Sequence, residues 1–327
     1  TTIGAFTSRI SNKRSRTFAT APLLGDTLTI EYYSPSWVKA LPTLRITRVV
    51  HGYKPFLMPL QLKGSPSGPC EIDVACEPSE WQDQTRSVGV LLTQDNQKYC
   101  SGALLNNVKG DGRQLFLTAN HCAGFSDVSN HLVMFNYQRM QCGIPEEELT
   151  MKHNTAHGLV KISSFRTSDY TVYEILEPIP DDYHVYMAGW SALTTPQAPI
   201  VGIHHPMGDV KKISYYSGNL SQDCWSECPD RMHWKIEKWS RGTTEPGSSG
   251  SPLFDSTHRI VGQLHGGSAS CYNEQGYDLY GALWASFEKG DLGKVLDPEG
   301  TGRRECDGVD LSVARRQNQR FRHQWHK

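Results

Sequence analysis

Ser249 lies in a stretch of small residues, TEPGSSGSPLF, that spans residues 244–254. A serine acts as a nucleophile only with a base to take its proton, an acid to orient that base, and N–H donors for the oxyanion. Gly247 and Gly250 can adopt backbone conformations barred to other residues, so this turn could aim two N–H groups at one point. Taken alone, such a stretch is more often a plain turn.

Two further residues could complete a catalytic triad with Ser249. FLTANHC, residues 116–122, is a strand-like run that ends in His121, and Asp169 opens a second apolar run, DYTVYEIL. Each of these residues alone is more often structural than catalytic. Their order along the chain, His then Asp then Ser, is that of the chymotrypsin architecture and of neither other triad arrangement.

The composition bounds the class of protein that carries these residues. The 327 residues are 38% hydrophobic and 10% aromatic, enough for a sizeable core. Because 33 basic residues balance 34 acidic ones, we expect no nucleic-acid partner, and because no apolar run is long enough to span a bilayer, no membrane partner. Nine scattered cysteines favour disulfides and export over a metal site.

Composition also divides the chain into three regions. Residues 26–56 predict short β segments, and the linker LKGSPSGP at 62–69 marks a boundary. From Cys70 to about residue 300, short apolar runs between turns predict an all-β fold, with one short helix near DLGKVLDP. The arginine-rich residues 301–327 predict a disordered basic tail.

Several motifs between residues 64 and 300 occur in a shared order with one known family. They are GPCEIDVAC, SGALLNN, FLTANHC, SDYTVYEI, GIHHPMGDVKKIS, TEPGSSGSPLF, VGQLHGG and YDLYGAL. Together they resemble the bacterial lysyl endopeptidases, the Lys-specific branch of the chymotrypsin-like serine proteases. The resemblance implies a double β-barrel and a secreted endopeptidase that needs no cofactor and no metal.

The resemblance assigns roles to the residues named above. Ser249 is expected as the nucleophile, His121 as the general base, Asp169 as the residue that orients the imidazole, and the N–H groups of Gly247 and Ser249 as the oxyanion hole. The alternative is an inactive secreted binding protein on the same fold.

Specificity for Lys is implied less directly. The residue six before Ser249, where trypsin carries its pocket acid, is Thr243. The family instead has an Asp in a later strand, and YDLYG matches it with Asp278. Glu274 is a weaker alternative. A buried carboxylate attracts either Lys or Arg, and the depth of the pocket decides between them.

A His and a Trp narrow the pocket of this family. His265, in QLHGG, matches the His, and Trp225 is the candidate for the Trp. Because the loop around Trp225 departs from the family, Trp234 and Trp239 remain alternatives. A protease that cuts after both Lys and Arg therefore stays open.

The resemblance also implies three disulfide bonds. The pairs are Cys70–Cys271, Cys76–Cys142 and Cys100–Cys122. Cys224 and Cys228 fall outside the pattern and could pair locally, which leaves Cys306 unassigned.

Maturation follows from the expected specificity. Ser248 carries no charge, so activation by an ion pair between a new N-terminus and the residue before the nucleophile is not expected. Cleavage after Lys63 would release residues 1–63 as a propeptide, which could remain a partner of the protease domain that begins at Gly64. The alternative is a stable N-terminal β domain that stays attached.

Overall fold

The computed structural model describes residues 4, 6, 17–20, 23, 25–39, 44–50, 67–77, 79–124, 127–144, 154–226 and 231–324. Strands dominate this part of the chain. In chain order they are β1 (Ile72–Asp73), β2 (Val88–Leu92), β3 (Lys98–Leu105), β4 (Leu115–Ala119), β5 (Leu132–Phe135), β6 (Asn154–His157), β7 (Leu159–Phe165), β8 (Tyr170–Ile175), β9 (Tyr186–Met187), β10 (Trp190–Ser191), β11 (Ile200–His204), β12 (Lys212–Tyr216), β13 (Ser221–Asp223), β14 (His233–Ile236), β15 (Pro252–Phe254), β16 (Ile260–Gly267), β17 (Asp278–Ala282), β18 (Glu305–Cys306) and β19 (Val309–Asp310).

Helices are few and short. The α-helices are α1 (Gln82–Ser87), α2 (Leu283–Lys289), α3 (Leu292–Leu296) and α4 (Leu311–Gln324). Single 3₁₀ turns occur at Val74–Cys76, Ser79–Trp81, His121–Ala123, Asp181–Tyr183 and Pro206–Gly208. The helix expected near DLGKVLDP is α3, so that prediction is confirmed. No helix of the described residues is both long and apolar enough to cross a bilayer.

Two large sheets divide these strands between the two halves of the domain. The first has seven antiparallel strands in the order β6-β5-β2-β3-β4-β8-β7. The second has ten strands along the path β1-β12-β11-β15-β16-β17-β14-β13, with β10 joined to β16 and β18. The two mainly antiparallel sheets confirm the predicted all-β fold.

Continuous apolar runs explain why the central strands form where they do. All five residues of β2 and all five of β4 are buried, as expected of strands covered on both faces. One apolar cluster contains residues of both sheets, including Leu117 of β4 and Phe254 of β15. The two halves therefore share a core, and residues at the ends of their strands meet along one seam.

Three disulfides tie loops onto this core. The bonds join Cys70 to Cys271, Cys76 to Cys142 and Cys100 to Cys122, the same pairs that the resemblance implies. Cys224 is also disulfide-bonded, and Cys228 lies outside the described residues. Each closed loop limits the freedom of the unfolded chain, which stabilises the fold by about 2–4 kcal/mol.

The N-terminal part of the chain differs from its prediction. No strand forms within residues 25–39 and 44–50. Most of these residues are exposed, including Tyr33 and Trp37. Alternation of β-branched and polar residues indicates a propensity, but a strand also needs a partner strand, and these residues have none in the structure. Residues 51–63 lie outside the described part of the chain.

The disordered tail predicted from residue 301 is also wrong for the described residues. β18 pairs with β10, β19 pairs with β9, and α4 follows directly. Leu311 and Ala314, one helical turn apart, are 2% and 1% exposed within the core of the first sheet. Composition misled because two buried apolar residues at that spacing are enough to dock a helix whose other residues are mostly polar.

Polar contacts also hold α4, and Cys306 of β18 is buried nearby in the sequence. Arg315 Nη1 donates to the carbonyl of Ile179 at 2.6 Å, and Asn318 Nδ2 donates to the carbonyl of Asp111 at 2.8 Å. Cys306 is a buried free thiol that receives a hydrogen bond from Asn106 Nδ2 at 3.4 Å. The C-terminal segment is thus part of the folded domain.

Docking of α4 can be tested by placing a charge on its buried face. We expect Ala314→Asp to lower the free energy of unfolding by about 2–4 kcal/mol, because it buries an unpaired carboxylate. Gln317→Asp adds the same charge to the exposed face and should change it by less than about 0.5 kcal/mol. Urea unfolding measures both, and equal stabilities would contradict a docked helix.

Candidate active site

His121 begins a 3₁₀ turn directly after β4. The next residue, Cys122, is bonded to Cys100 of β3, so a disulfide anchors the turn to the neighbouring strand. The His121 side chain is 40% exposed, which leaves one edge of the ring open to a ligand.

Asp169 holds this imidazole from the turn between β7 and β8. Its side chain is buried, and its φ of +55° is a left-handed conformation that Asp tolerates better than most residues. Asp169 Oδ1 accepts from the backbone N–H of His121 at 2.9 Å, and Oδ2 lies 2.8 Å from His121 Nδ1. Because the carboxylate only accepts, Nδ1 carries the proton and Nε2 is left as the basic nitrogen.

The turn that carries Ser249 fits against the end of β4. Gly247 and Gly250 have φ values of +94° and +80°, in the region that favours glycine. A Cβ on Gly250 would lie 2.2 Å from Thr118 Oγ1, so no other residue fits there. This close approach brings the Ser249 turn to the strand that leads into His121.

Ser101 of β3 fixes both ends of the same turn. Its backbone N–H donates to the carbonyl of Ser249 at 2.8 Å, and its hydroxyl donates to the carbonyl of Gly247 at 2.9 Å. Within residues 231–324, the N–H groups of Gly247 and Ser249 make no hydrogen bond to an acceptor of the chain. Two uncommitted donors two residues apart are what an oxyanion hole requires.

The Ser249 hydroxyl makes no direct hydrogen bond with His121 among the contacts of the described residues. In the absence of a substrate this bond is often long, and it tightens when the reacting complex forms. The arrangement is therefore compatible with proton transfer from Ser249 to His121 Nε2.

Ser248, the residue before the candidate nucleophile, belongs to a hydrogen-bond network of uncharged groups. Ser248 Oγ lies 2.8 Å from His204 Nδ1, and His204 Nε2 lies 3.0 Å from Ser214 Oγ. Burial, with the nearby Lys212 charge, lowers the pKa of His204 to about 3, so the ring is neutral. His204 therefore has a structural role, because both of its ring nitrogens lie within hydrogen-bond distance of buried hydroxyl groups.

Asp278 lies at the start of β17 and is 1% exposed. Its Oδ2 accepts from Trp239 Nε1 at 2.6 Å and from Thr244 Oγ1 at 2.7 Å. Burial raises the pKa of this carboxyl, and the two side-chain hydrogen bonds oppose that shift. Glu274, the weaker candidate for the pocket acid, is exposed instead.

Trp225 stacks on His265, with ring centroids 3.9 Å apart and an interplanar angle of 15°. The other face of His265 is directed toward His121, at a centroid distance of 5.6 Å and an angle of 19°. The alternatives Trp234 and Trp239 are buried in the core of the second sheet. The structure therefore brings together the sequence-predicted pair and places it beside the His121–Asp169 pair.

Sequence reasoning missed three residues around these groups, and it missed the contact that a fourth, Trp239, makes with Asp278. Trp239 and Thr244 bind the Asp278 carboxylate, and His233 contacts His265. The side chain of Glu71 is fully buried, and its Oε2 lies 3.8 Å from His204 Nε2. None of them carries a local signal, because each acts through residues distant in sequence. The acid next to Cys70 could have been noticed, since that disulfide reaches the loop before Asp278.

Glu71 is held as a neutral acid. Neither carboxyl oxygen has a hydrogen-bond partner within the described residues. Burial, together with repulsion from Glu245, raises its pKa from 4.5 to about 9, with smaller opposing and reinforcing effects from Lys212, Asp209 and Asp278. A charge at this position would be strongly unfavourable.

Comparison with known sequences places these residues within a matched region. A sequence model described as "Lysyl endopeptidase, C-terminal domain" matches residues 65–281. A lysyl endopeptidase of Pseudomonas aeruginosa is 29% identical over 266 residues, which cover 76% of this chain. The match spans 56% of that protein, so the chain corresponds to just over half of its length.

Two solved structures are distant structural neighbours. The atomic-resolution structure of HBP has a TM-score of 0.46 at 12% identity, and the match covers 65% of this chain and 92% of that one. The HtrA-type protease AlgW with a tripeptide has a TM-score of 0.45 at 14% identity, with 67% and 63% covered. Similarity at this level says nothing of what the present chain does.

The buried acid makes stability depend on pH in a defined direction. The folded state keeps a proton on Glu71 that the unfolded state releases above its ordinary pKa of 4.5, so stability falls as pH rises from there toward 9. We expect Glu71→Gln to match the unmodified chain at low pH and to be more stable by about 3 kcal/mol at pH 7.

Thermal unfolding across this range measures the difference. The exposed pair of Glu299 with Lys109 provides a matched control, because Glu299→Gln removes a carboxylate that is already in water. A stability gain for Glu71→Gln that does not grow with pH would contradict a neutral Glu71.

Proposed function

Because the chain belongs to the lysyl endopeptidase family, we propose that it is a serine endopeptidase that cleaves on the carboxyl side of Lys. The observation that carries the proposal is the pair of hydrogen bonds from His121 to Asp169, with the Ser249 turn held against the strand that leads into His121. A binding protein would not need a base oriented in this way.

The proposed mechanism uses three side chains and two backbone donors. His121 Nε2 takes the proton of Ser249 as Oγ attacks the scissile carbonyl, and the N–H groups of Gly247 and Ser249 bind the oxyanion. His121 then gives that proton to the leaving amine, and the acyl-enzyme forms. Water repeats the sequence, with His121 as its base, and releases the carboxylic acid product.

Asp169 acts through His121 in this mechanism. Its hydrogen bond to Nδ1 keeps Nε2 free to accept a proton, and its charge favours the imidazolium that forms. Asp169 also accepts a hydrogen bond from the backbone N–H of His121, which fixes the position of the His121 backbone. Both effects need the carboxylate to be buried away from competing water.

The surroundings of Asp278 favour Lys over Arg. Trp239 and Thr244 both donate to Oδ2, so this oxygen is already occupied. A guanidinium binds best when both carboxylate oxygens accept from its fork, whereas an ammonium acts as a compact point charge. The remaining capacity of Asp278 therefore suits Lys. Thr243 adds no second charge to the pocket.

Maturation and location are also part of the proposal. Disulfides are typical of exported proteins, which supports secretion. Ser67 is buried and donates to Asp209 Oδ2 at 2.6 Å, so the folded domain begins close to the proposed cleavage point. Lys63 and Gly64 themselves lie outside the described residues. Release of residues 1–63 by cleavage after Lys63 would fit this boundary.

The nucleophile and the specificity can be tested together with peptide amides that differ only in Lys or Arg at the cleaved position. We expect kcat/KM to be much higher for Lys, and Ser249→Ala to lower it by at least about 10³-fold, because the mutant keeps binding but loses covalent catalysis. Ser217→Ala removes an exposed hydroxyl and should have no effect.

The other outcomes separate the remaining functions. Equal rates on the Lys and Arg substrates would still support a protease, but they would contradict a pocket that selects Lys. Absence of Ser249-dependent cleavage in folded, processed protein would favour a binding module. Sequencing the N-terminus of the processed protein tests whether it begins at Gly64.

Asp278 gives a separate prediction for the pocket. We expect Asp278→Asn to lower kcat/KM for the Lys substrate by about 10²–10³-fold, because a buried ammonium would lose its counter-charge. The amide oxygen can still accept from Trp239 and Thr244, which preserves the fold. Glu274→Gln is the matched control, and an effect of similar size there would move the pocket acid to Glu274.

A further inference from the structure

His233 is a buried imidazole that the proposed mechanism does not use. It lies on β14 and is 1% exposed. Its Nε2 is 2.9 Å from His265 Nδ1, and its own Nδ1 has no hydrogen-bond partner within the described residues. On its other side, His265 Nε2 lies 3.7 Å from Asp169 Oδ2. One line of groups therefore leads from His233 through His265 to Asp169.

From this arrangement we propose that His233 is a positioning residue: it fixes the tautomer of His265, so that His265 directs an Nε2–H group at Asp169. The proposal rests on the proposed function, because it assigns His233 a part in orienting the triad. Neither His233 nor His265 would touch the reacting atoms in this role.

The sheet brings the two imidazoles together across β17. β17 lies between β14 and β16, and His233 pairs with Gly281 of β17. A Cβ on Gly281 would lie 1.8 Å from the carbonyl of Ser168, the residue before Asp169. Glycine at this point lets the Ser168 carbonyl, and with it the turn of Asp169, pack against β17 next to His233.

A single proton lies between His233 and His265, and the surroundings decide which ring donates it. If His265 Nδ1 were the donor, its Nε2 would present a lone pair to the Asp169 carboxylate. His233 would then hold its other proton on Nδ1, as a buried donor without an acceptor. Both consequences are unfavourable.

The opposite direction avoids both costs. When His233 Nε2–H donates to His265 Nδ1, the His265 proton must be on Nε2, where it faces Asp169 Oδ2. His233 Nδ1 then carries only a lone pair, which costs less to leave unpaired than a buried N–H. The bond to His233 therefore selects the His265 tautomer that is attracted to Asp169.

Both rings are neutral at neutral pH, as the arrangement requires. Burial lowers the pKa of His233 to about 4, although Asp169 and Asp223 oppose the shift. Burial also lowers the pKa of His265 to about 4; the neighbouring His233 and His121 lower it further, and Asp169 opposes them. The interaction with Asp169 is thus that of an N–H dipole with a carboxylate.

This dipole has two consequences for the proposed triad. It offers Asp169 Oδ2 a second partner beside His121 Nδ1, which restrains rotation of the carboxylate. It also offsets part of the negative charge next to His121. Without it, less of the Asp169 charge would be offset, which favours the imidazolium form of His121, and His121 acts as a base only when it is neutral.

Two substitutions of His233 in the full chain distinguish the effect of its hydrogen-bond donor from the effect of its volume. The amide of His233→Gln can still donate to His265 Nδ1, whereas His233→Met fills similar space without a donor. On the Lys amide, we expect His233→Gln to keep kcat within about threefold and His233→Met to lower it by about tenfold, with KM unchanged. We also expect the acid limb of the kcat/KM profile to move to higher pH in His233→Met only.

Loss of stability alone cannot imitate this pattern, because it would leave the pH profile of the folded fraction in place. Urea unfolding of both variants checks that they are folded under the assay conditions. Equal kcat values and unshifted pH profiles for the two folded variants would overturn the proposal.

A second measurement does not depend on activity. In the full chain with Ser249→Ala, the imidazole ¹⁵N spectrum should show His265 protonated on Nε2 and bare on Nδ1, a state kept with His233→Gln and mixed with His233→Met. Protonation on Nδ1 would overturn the proposal. Failure of the unmodified chain to cleave the Lys amide would instead count against the proposed function, and the spectrum would still test the tautomer.

Discussion

The buried carboxylate of Asp169 is the constraint on which the candidate site depends. Its two oxygens bind two different groups of one residue, the backbone N–H and the ring Nδ1 of His121. Because His121 is held at both its backbone and its ring, it has little conformational freedom left. The entropy cost of orienting the imidazole therefore arises when the chain folds and not when a substrate binds. The left-handed backbone at Asp169 is the strain that this arrangement requires.

Ser101 extends this constraint to the opposite sheet. It belongs to β3, next to Cys100, whose disulfide holds the turn of His121, and its two donors hold the turn of Ser249. One short segment therefore sets the position of both turns. The interface between the sheets could shift slightly without separating the base from the serine, because both refer to the same strand.

Sequence reasoning succeeded where a residue type and its local neighbours carry the meaning. The two glycines around Ser249 have positive φ, and at Gly250 a side chain is also excluded because Thr118 of β4 lies in contact. The short apolar runs between turn residues likewise predicted an all-β fold. The stack of Trp225 on His265 came from resemblance, and no local pattern could have selected it over the other tryptophans.

Sequence reasoning failed where the meaning lies in tertiary contact. Glu71 resembles any other acid in the sequence, and only its burial beside His204 makes it unusual. His233 resembles any other strand residue, and only the fold brings it within hydrogen-bond distance of His265. The basic tail looked disordered because composition averages over residues, whereas docking depends on the positions of a few of them, such as Leu311 and Ala314. These features exist only after the chain has folded.

The docked C-terminal segment also affects the resistance of the disulfides to exchange. A free thiolate attacks disulfides and reshuffles them, so an unpaired cysteine threatens an oxidised protein. Burial raises the pKa of Cys306 to about 11, which leaves almost no thiolate at neutral pH. Because β18 buries its own Cys306 in the folded domain, this thiol is kept from exchanging with disulfides that lie far from it in the sequence.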